Sequence, residues 1–255
     1  MISLYLSPPM RETVWVLGAF NTEIARVAET VSEPHIGAIR LKWWAEVLEH
    51  IAADEAVKDH PVAHALAGLN LPLEPLMQMI EARERDLLKG AVFADIAALD
   101  EYATVTGSAM WLPLAKDEIS KKFLRQLGQL WALQGMLRAT GIHLKQGRTM
   151  IPRKVLAAHE VSEESLLNSS APVEALLHMI ESLNARLDPA LASLHADFTS
   201  LPEELRPFGL AAGLVQRHRL QLAQQPQIAL MLNAGQHKLS TQLHLMKGSW
   251  KKYEF

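Results

Sequence analysis

The chain has 255 residues, a formal net charge of −3, 49% apolar residues and 21% charged residues. That balance supports a packed core, excludes chain-wide disorder and offers no field to draw the protein onto nucleic acid. Cysteine is absent, which removes disulfides, thiolate catalysis and thiolate metal sites and fits a reducing compartment.

The N-terminal stretch is partly apolar but contains Pro8 and Pro9 and has no basic opening run, so it reads as a lead-in to a helix rather than a signal peptide. No uninterrupted apolar run reaches the ~18 residues of a membrane span. A first helix is predicted over residues 11–31, with Val16, Ala19, Phe20, Ile24, Val27 and Val31 at helical spacing. Pro34 ends it. A second is predicted over residues 36–53, with Ile39, Trp43, Val47 and Ile51 as its apolar stripe and Trp44 beside it. Further helices are expected from His60-Pro61 to Gly68, over residues 76–88, and over residues 96–112 with Asp95 as the cap. Small residues from Ala103 to Ala109 allow close packing of the last of these.

Residues 119–144 read as one long helix, followed by a turn at Gly147, Arg148 and Pro152 and a short helix over residues 153–159. Pro172 opens a helix over residues 173–187. Others follow over residues 189–198, 205–224 and 228–232. The whole reads as an all-α single domain over residues 1–236, with a basic and aromatic tail over residues 237–255. In that tail His237, His244, Trp250 and several lysines suit contact with a membrane surface.

Chemistry-bearing clusters are sparse. Eleven histidines form no HExxH or other dense ligand set, and His60 and His64 read as residues near a turn. Glu81, Arg83, Glu84, Arg85 and Asp86 read as a solvated helix face. Arg125, Arg138, His143, Lys145 and Arg148 give the middle of the chain a positive character suited to an anion. Trp15, Phe20, Trp43, Trp44, Met110 and Trp111 are bulky residues expected in the core or around a cavity.

An ordered series of segments carries a resemblance. It comprises Ala19-Phe20-Asn21-Thr22-Glu23-Ile24-Ala25-Arg26-Val27, Val31-Ser32-Glu33-Pro34-His35-Ile36-Gly37, and Arg40-Leu41-Lys42-Trp43-Trp44. It continues through Asp100, Tyr102, Thr106-Gly107-Ser108, Leu133-Gln134-Gly135-Met136-Leu137-Arg138 and Gly147-Arg148-Thr149-Met150-Ile151-Pro152. Over roughly residues 10–225 the chain resembles the squalene/phytoene synthase family, and within it the branch containing the mitochondrial complex I assembly factor. The resemblance implies an isoprenoid-synthase-like bundle around a central apolar cavity. In family enzymes two aspartate-rich motifs on facing helices hold Mg²⁺ and the diphosphates of two isoprenoid substrates, and the apolar walls exclude water.

Carried onto this chain, the first motif falls at Ala25, Arg26 and Glu29, where Glu29 alone keeps an acid. The second falls at Ala139 and His143. Gln134, Arg138, Arg148 and Pro152 match the family pattern. Arg26 is expected to bring a cation to the place of a metal. The resemblance therefore implies a non-catalytic binding or assembly factor, associated with a respiratory membrane complex. The candidate cavity and anion-binding residues are Arg26, Glu29, Tyr102, Gln134, Arg138, His143 and Arg148, with no metal or other cofactor. The alternative is an enzyme acting on an isoprenoid phosphate or lipid through an altered site, with Mg²⁺ entering only in that case and Glu23, Glu29 or Tyr102 handling protons. A lipid carrier is the third reading. The expected partners are an isoprenoid or other lipid and a respiratory-complex subunit or membrane surface, and the expected location is cytoplasmic, peripheral on the inner face of a membrane.

Overall fold

The computed structural model describes residues 2–57, 59–88, 90, 92–231, 245, 248–249 and 252–253, and among these residues it is all helix, turn and connecting coil. Twelve α-helices are found among these residues: α1 (Pro8–Thr30), α2 (Pro34–Ala52), α3 (Pro61–Ala67), α4 (Glu74–Arg83), α5 (Ile96–Ser108), α6 (Glu118–Arg138), α7 (Thr140–Lys145), α8 (Arg153–Ala158), α9 (Glu163–Leu167), α10 (Val173–Ala185), α11 (Asp188–Phe198) and α12 (Gly209–Gln224). No described helix is long and apolar enough to cross a membrane.

Local chemistry explains most of the starts. Prolines stand in the first turn of α1, α2, α3, α4 and α11, where their missing N–H costs no helical hydrogen bond. Asp95 caps α5 by accepting from the Ala98 N–H at 3.1 Å, as its position predicts, and Asp117 caps α6 in the same way. His60 is also a cap: its Nδ1 accepts from the Val62 N–H at 3.2 Å, and its ring packs edge-on against Trp43 and Trp44.

The centre of the bundle is the α5–α6 contact. A β-carbon on Gly107 would lie 2.0 Å from the Gly128 carbonyl oxygen, and one on Gly128 would lie 2.4 Å from Ser108 Cα. The two backbones touch here, and only residues without a side chain permit it. Around this seam a continuous core includes Phe20, Leu41, Leu66, Met79, Phe123, Met179 and Phe208, each no more than 1% exposed.

Several expected elements differ. The stripe Ile39, Trp43, Val47 and Ile51 is not the buried face of α2; Ile39 is 65% exposed, while Gly37, Leu41, Trp44, Val47 and Leu48 are buried. Apolar residues lie on both sides of this helix, so periodicity alone did not fix its phase. Trp15 is 57% exposed and donates its indole N–H to Ser3 Oγ, so it walls no cavity. The predicted helix over residues 119–144 divides at Ala139, which leaves helical geometry at φ −92° and ψ 9°. The Thr140 hydroxyl donates to the Leu137 carbonyl at this break, and Gly141 in α7 packs directly on the Leu230 carbonyl. Pro207 lies in a 3₁₀ segment over Glu203–Phe208, so α12 starts only at Gly209. A short helix, α9, was not expected; Ser162 caps it.

His237, His244 and Trp250, singled out above as tail residues, lie outside the described residues, as does Leu232, the expected end of the last helix. Of the tail, Leu245 is buried against Leu210 and Leu214, and the Tyr253 ring meets Tyr5 edge-on at 6.4 Å.

Candidate functional site

The backbone contact of α5 and α6 fixes two walls of a cavity of about 260 Å³. α1 supplies a third wall through Asn21, Ala25 and Glu29, which are four residues apart and share one face of the helix. The last residue of α4, Arg83, and the turn after it, with Asp86, form another part, and α7 with the following loop contributes His143 and Arg148. The apolar lining is formed by Met110, Trp131, Ala132, Met136 and Met150. Glu29, Asp86 and Arg148 also border an outer depression of about 380 Å³ lined by Val31, Ser32, Pro34 and Leu88, so these three charged residues stand at the mouth.

One polar network dominates the wall. Arg83 Nη1 donates to Asp86 Oδ2 at 3.0 Å and to the Tyr102 hydroxyl oxygen at 2.8 Å, and the Tyr102 hydroxyl donates to Asp86 Oδ2 at 2.6 Å. Its cause is a change of helix type: α4 tightens into a 3₁₀ segment over Glu84–Leu87, where residues three apart eclipse one another. Asp86 is thereby set against Arg83, with its side chain only 5% exposed. Arg85 stacks on Phe93, its guanidinium carbon 3.5 Å from the ring centroid. The expected solvated face is therefore corrected for Arg83, Arg85 and Asp86, which point into the structure. The charge pattern of residues 81–86 gave no sign of the tighter turn that rotates them inward.

Burial raises the Tyr102 phenol well above its ordinary value, and the neighbouring Asp86 acts in the same direction, so Tyr102 remains a neutral hydrogen-bonding group. Burial lowers the His143 imidazole to about 4, and the charge of Arg148 adds to the shift. His143 is therefore neutral near pH 7, and its Nδ1 is buried with no hydrogen-bond partner. The Arg148 side chain donates to the Gln146 amide oxygen.

Of the seven candidate residues, the structure gathers Glu29, Tyr102, His143 and Arg148 around this cavity. Arg26 lies elsewhere. It lines a separate outer groove between α1 and α2 with Glu23, Ile39, Arg40 and Trp43, one step around the helix from Ala25 and Glu29. It therefore brings no cation to the place of a metal, contrary to expectation. Gln134 is buried in α6, and neither atom of its amide has a partner. Arg138 reaches the other way, with Nη1 3.2 Å from His218 Nδ1. Ala139 is the residue at which α6 ends.

The cavity thus holds two carboxylates, Glu29 and Asp86, and two guanidinium groups, Arg83 and Arg148, for a formal sum of zero with His143 neutral. Mg²⁺ requires hard oxygen ligands in near-octahedral array. Asp86 already pairs with Arg83, which leaves Glu29 as the one carboxylate of the lining outside that pair. Among the described residues no group of three or more His, Asp or Glu side chains is placed to hold a metal ion. The residues present do not fit the metal cluster that the resemblance implies for family enzymes.

The NADH dehydrogenase (ubiquinone) complex I assembly factor 6 of Homo sapiens is 31% identical over 193 residues, which cover 71% of this chain and 57% of that protein. The Bos taurus protein of the same name is 31% identical over 179 residues, or 67% of this chain and 53% of its own length. The chain therefore spans little more than half of these relatives. A crystal structure of a dehydrosqualene synthase in complex with ligand superposes with a TM-score of 0.81 at 17% identity, covering 100% of this chain and 91% of that one. The fold is shared with that protein. The family model for squalene/phytoene synthase matches residues 1–242, and this chain belongs to that family.

Proposed function

We propose that this protein is a non-catalytic member of the squalene/phytoene synthase family, working as a binding or assembly factor for a respiratory membrane complex. The carrying observation is the charge in the cavity. Ala25 and His143 occupy two positions at which the resemblance calls for aspartates, and the carboxylate Asp86 is held by Arg83 and Tyr102. Such a lining does not collect the cations needed to neutralise a departing diphosphate. Similarity to complex I assembly factor 6 supports the respiratory part of the reading. In this reading the protein is cytoplasmic and peripheral at the inner face of a membrane, and residues 237–255 form its basic and aromatic tail.

The assembly role is tested by removing the gene from its source organism and separating membrane complexes on native gels. The amount of assembled NADH-oxidising complex falls if the role is correct, and an unchanged amount contradicts it.

A second reading, an enzyme that handles an isoprenoid phosphate or lipid without metal, draws support from one observation: the cavity is open at a mouth that carries Arg148. An isoprenoid or other lipid is the small-molecule partner common to both readings.

A further inference from the structure

Resting on the assembly-factor reading, we infer that the outer groove between α1 and α2 docks an acidic segment of a protein partner, one that presents an Asp or Glu carboxylate beside a large apolar side chain. The groove is separate from the central cavity. It encloses about 450 Å³, with Arg26 and Thr30 on its α1 wall and Ile39, Arg40 and Trp43 on its α2 wall. Asn21, Ala25 and Glu29, which face the cavity, lie on another side of α1. Residues 31–33 alone separate the two helices, so both walls belong to one hairpin.

The apolar part is an exposed stripe. Ile36 and Ile39 are 37% and 65% exposed, and Trp43 continues the same face of α2 one turn on. Leu41, Trp44, Val47 and Leu48 already serve the core side of this helix. Trp43 stands edge-on to Trp44 at 4.8 Å and to His60 at 5.6 Å, which holds its ring in place before any partner arrives. A single exposed isoleucine is ordinary. A fixed Trp and an Ile flanked by two Arg in a recess is the composition of an interface hot spot.

The charge chooses the partner. Arg40 Nη1 donates to Thr30 Oγ1 at 2.9 Å. Among the described residues Arg40 meets no carboxylate, and Arg26 makes no ion pair or side-chain hydrogen bond. Among the described residues of the lining Glu23 is the one acid, against two guanidinium groups, so the groove carries an excess of positive charge. A guanidinium takes a carboxylate through two parallel N–H donors, so an acidic side chain fits that excess. An anionic bilayer is a poorer match. It is met by about four or more clustered Lys and Arg, whereas this hairpin also exposes Glu23, Glu29 and Glu33.

The test is made in a strain lacking the gene and supplied with the full chain, in which the photo-cross-linker p-benzoylphenylalanine replaces Ile39. Mass spectrometry of the cross-linked peptide is expected to identify one protein, captured through a segment that has Asp or Glu next to a large apolar residue. Capture of lipid, of a second copy of this chain or of a basic segment overturns the inference, as does no capture. The double variant Arg26→Glu with Arg40→Glu is expected to lower the assembled NADH-oxidising complex at least about fivefold at equal protein level. Reversing the captured carboxylate to Arg is expected to restore it, and failure of that swap overturns the inference. Both arginines are exposed, so the melting temperature is expected to stay that of the parent. Arg125→Glu, an exposed position of α6, is the control charge reversal and should restore the complex in full. Full restoration by the double variant overturns the inference and leaves the assembly reading standing. A complex unaffected by loss of the gene overturns the assembly reading instead, and the cross-link still reports what the groove holds.

Discussion

The Tyr102 hydroxyl donates to Asp86 Oδ2 at 2.6 Å, tying α5 to the turn that follows α4 across the edge of the cavity. Arg83 completes the arrangement by donating to both partners. Because Asp86 is almost fully buried, the network's members have unequal effects. Asp86→Ala leaves a largely buried guanidinium without its carboxylate and is expected to cost about 3 kcal/mol. Tyr102→Phe keeps the ion pair and loses one hydroxyl, for about 1 kcal/mol. Urea denaturation of both variants measures the difference, and equal costs contradict this assignment.

His143 gives stability a pH dependence of definite sign. Its folded value of about 4 lies below the ordinary histidine value of 6.5, so the unfolded chain binds the proton more readily. The stabilising contribution is present above pH 6.5 and is lost as pH falls towards 4. After discounting for partial exposure, about 1 kcal/mol disappears between pH 7 and pH 5. His143→Leu should flatten that part of the stability curve, whereas an unchanged slope shows that another group controls it.

The Gly107–Gly128 seam leaves no space for a methyl group, since the nearest obstacle at each position is backbone. Gly107→Ala is expected to cost about 3 kcal/mol, at the upper end of ordinary overpacking. It should also reduce ligand affinity, because the α5 and α6 walls separate. Gly135→Ala, on α6 with open space around it, serves as the control and changes stability little. Thermal melts of the two variants separate crowding from helix propensity.

The orientation of α2 is tested by a pair of substitutions. Ile39 is 65% exposed and Leu41 is 1% exposed. Ile39→Ser should fall within about 0.5 kcal/mol of the parent, and Leu41→Ala should cost about 2–5 kcal/mol. The reverse order would restore the stripe suggested by spacing alone.

The sequence conveyed the architecture well because its signals are local. Pro61, Pro172 and Asp95 stand at or beside helix starts, and each has a direct backbone consequence. Gly107 was legible as a place of close packing for the same reason. The site was less legible. Ala25 and Glu29 share the cavity while Arg26, between them, faces another groove, and that distinction needs the helix phase. Arg83 and Asp86 were hidden because five neighbouring charged residues look solvated until a 3₁₀ turn rotates two of them against Tyr102. The partner of Arg138 lies 80 residues away at His218, beyond what any local pattern carries.

The central claim is that this chain has the family's fold without the charge for its metal-dependent chemistry. Its most direct measurement is product formation by the full purified chain supplied with farnesyl or geranylgeranyl diphosphate, Mg²⁺ and a nicotinamide reductant. The expected result is no squalene or phytoene above a protein-free control at any Mg²⁺ concentration. Metal-dependent turnover that grows with protein concentration would contradict the account.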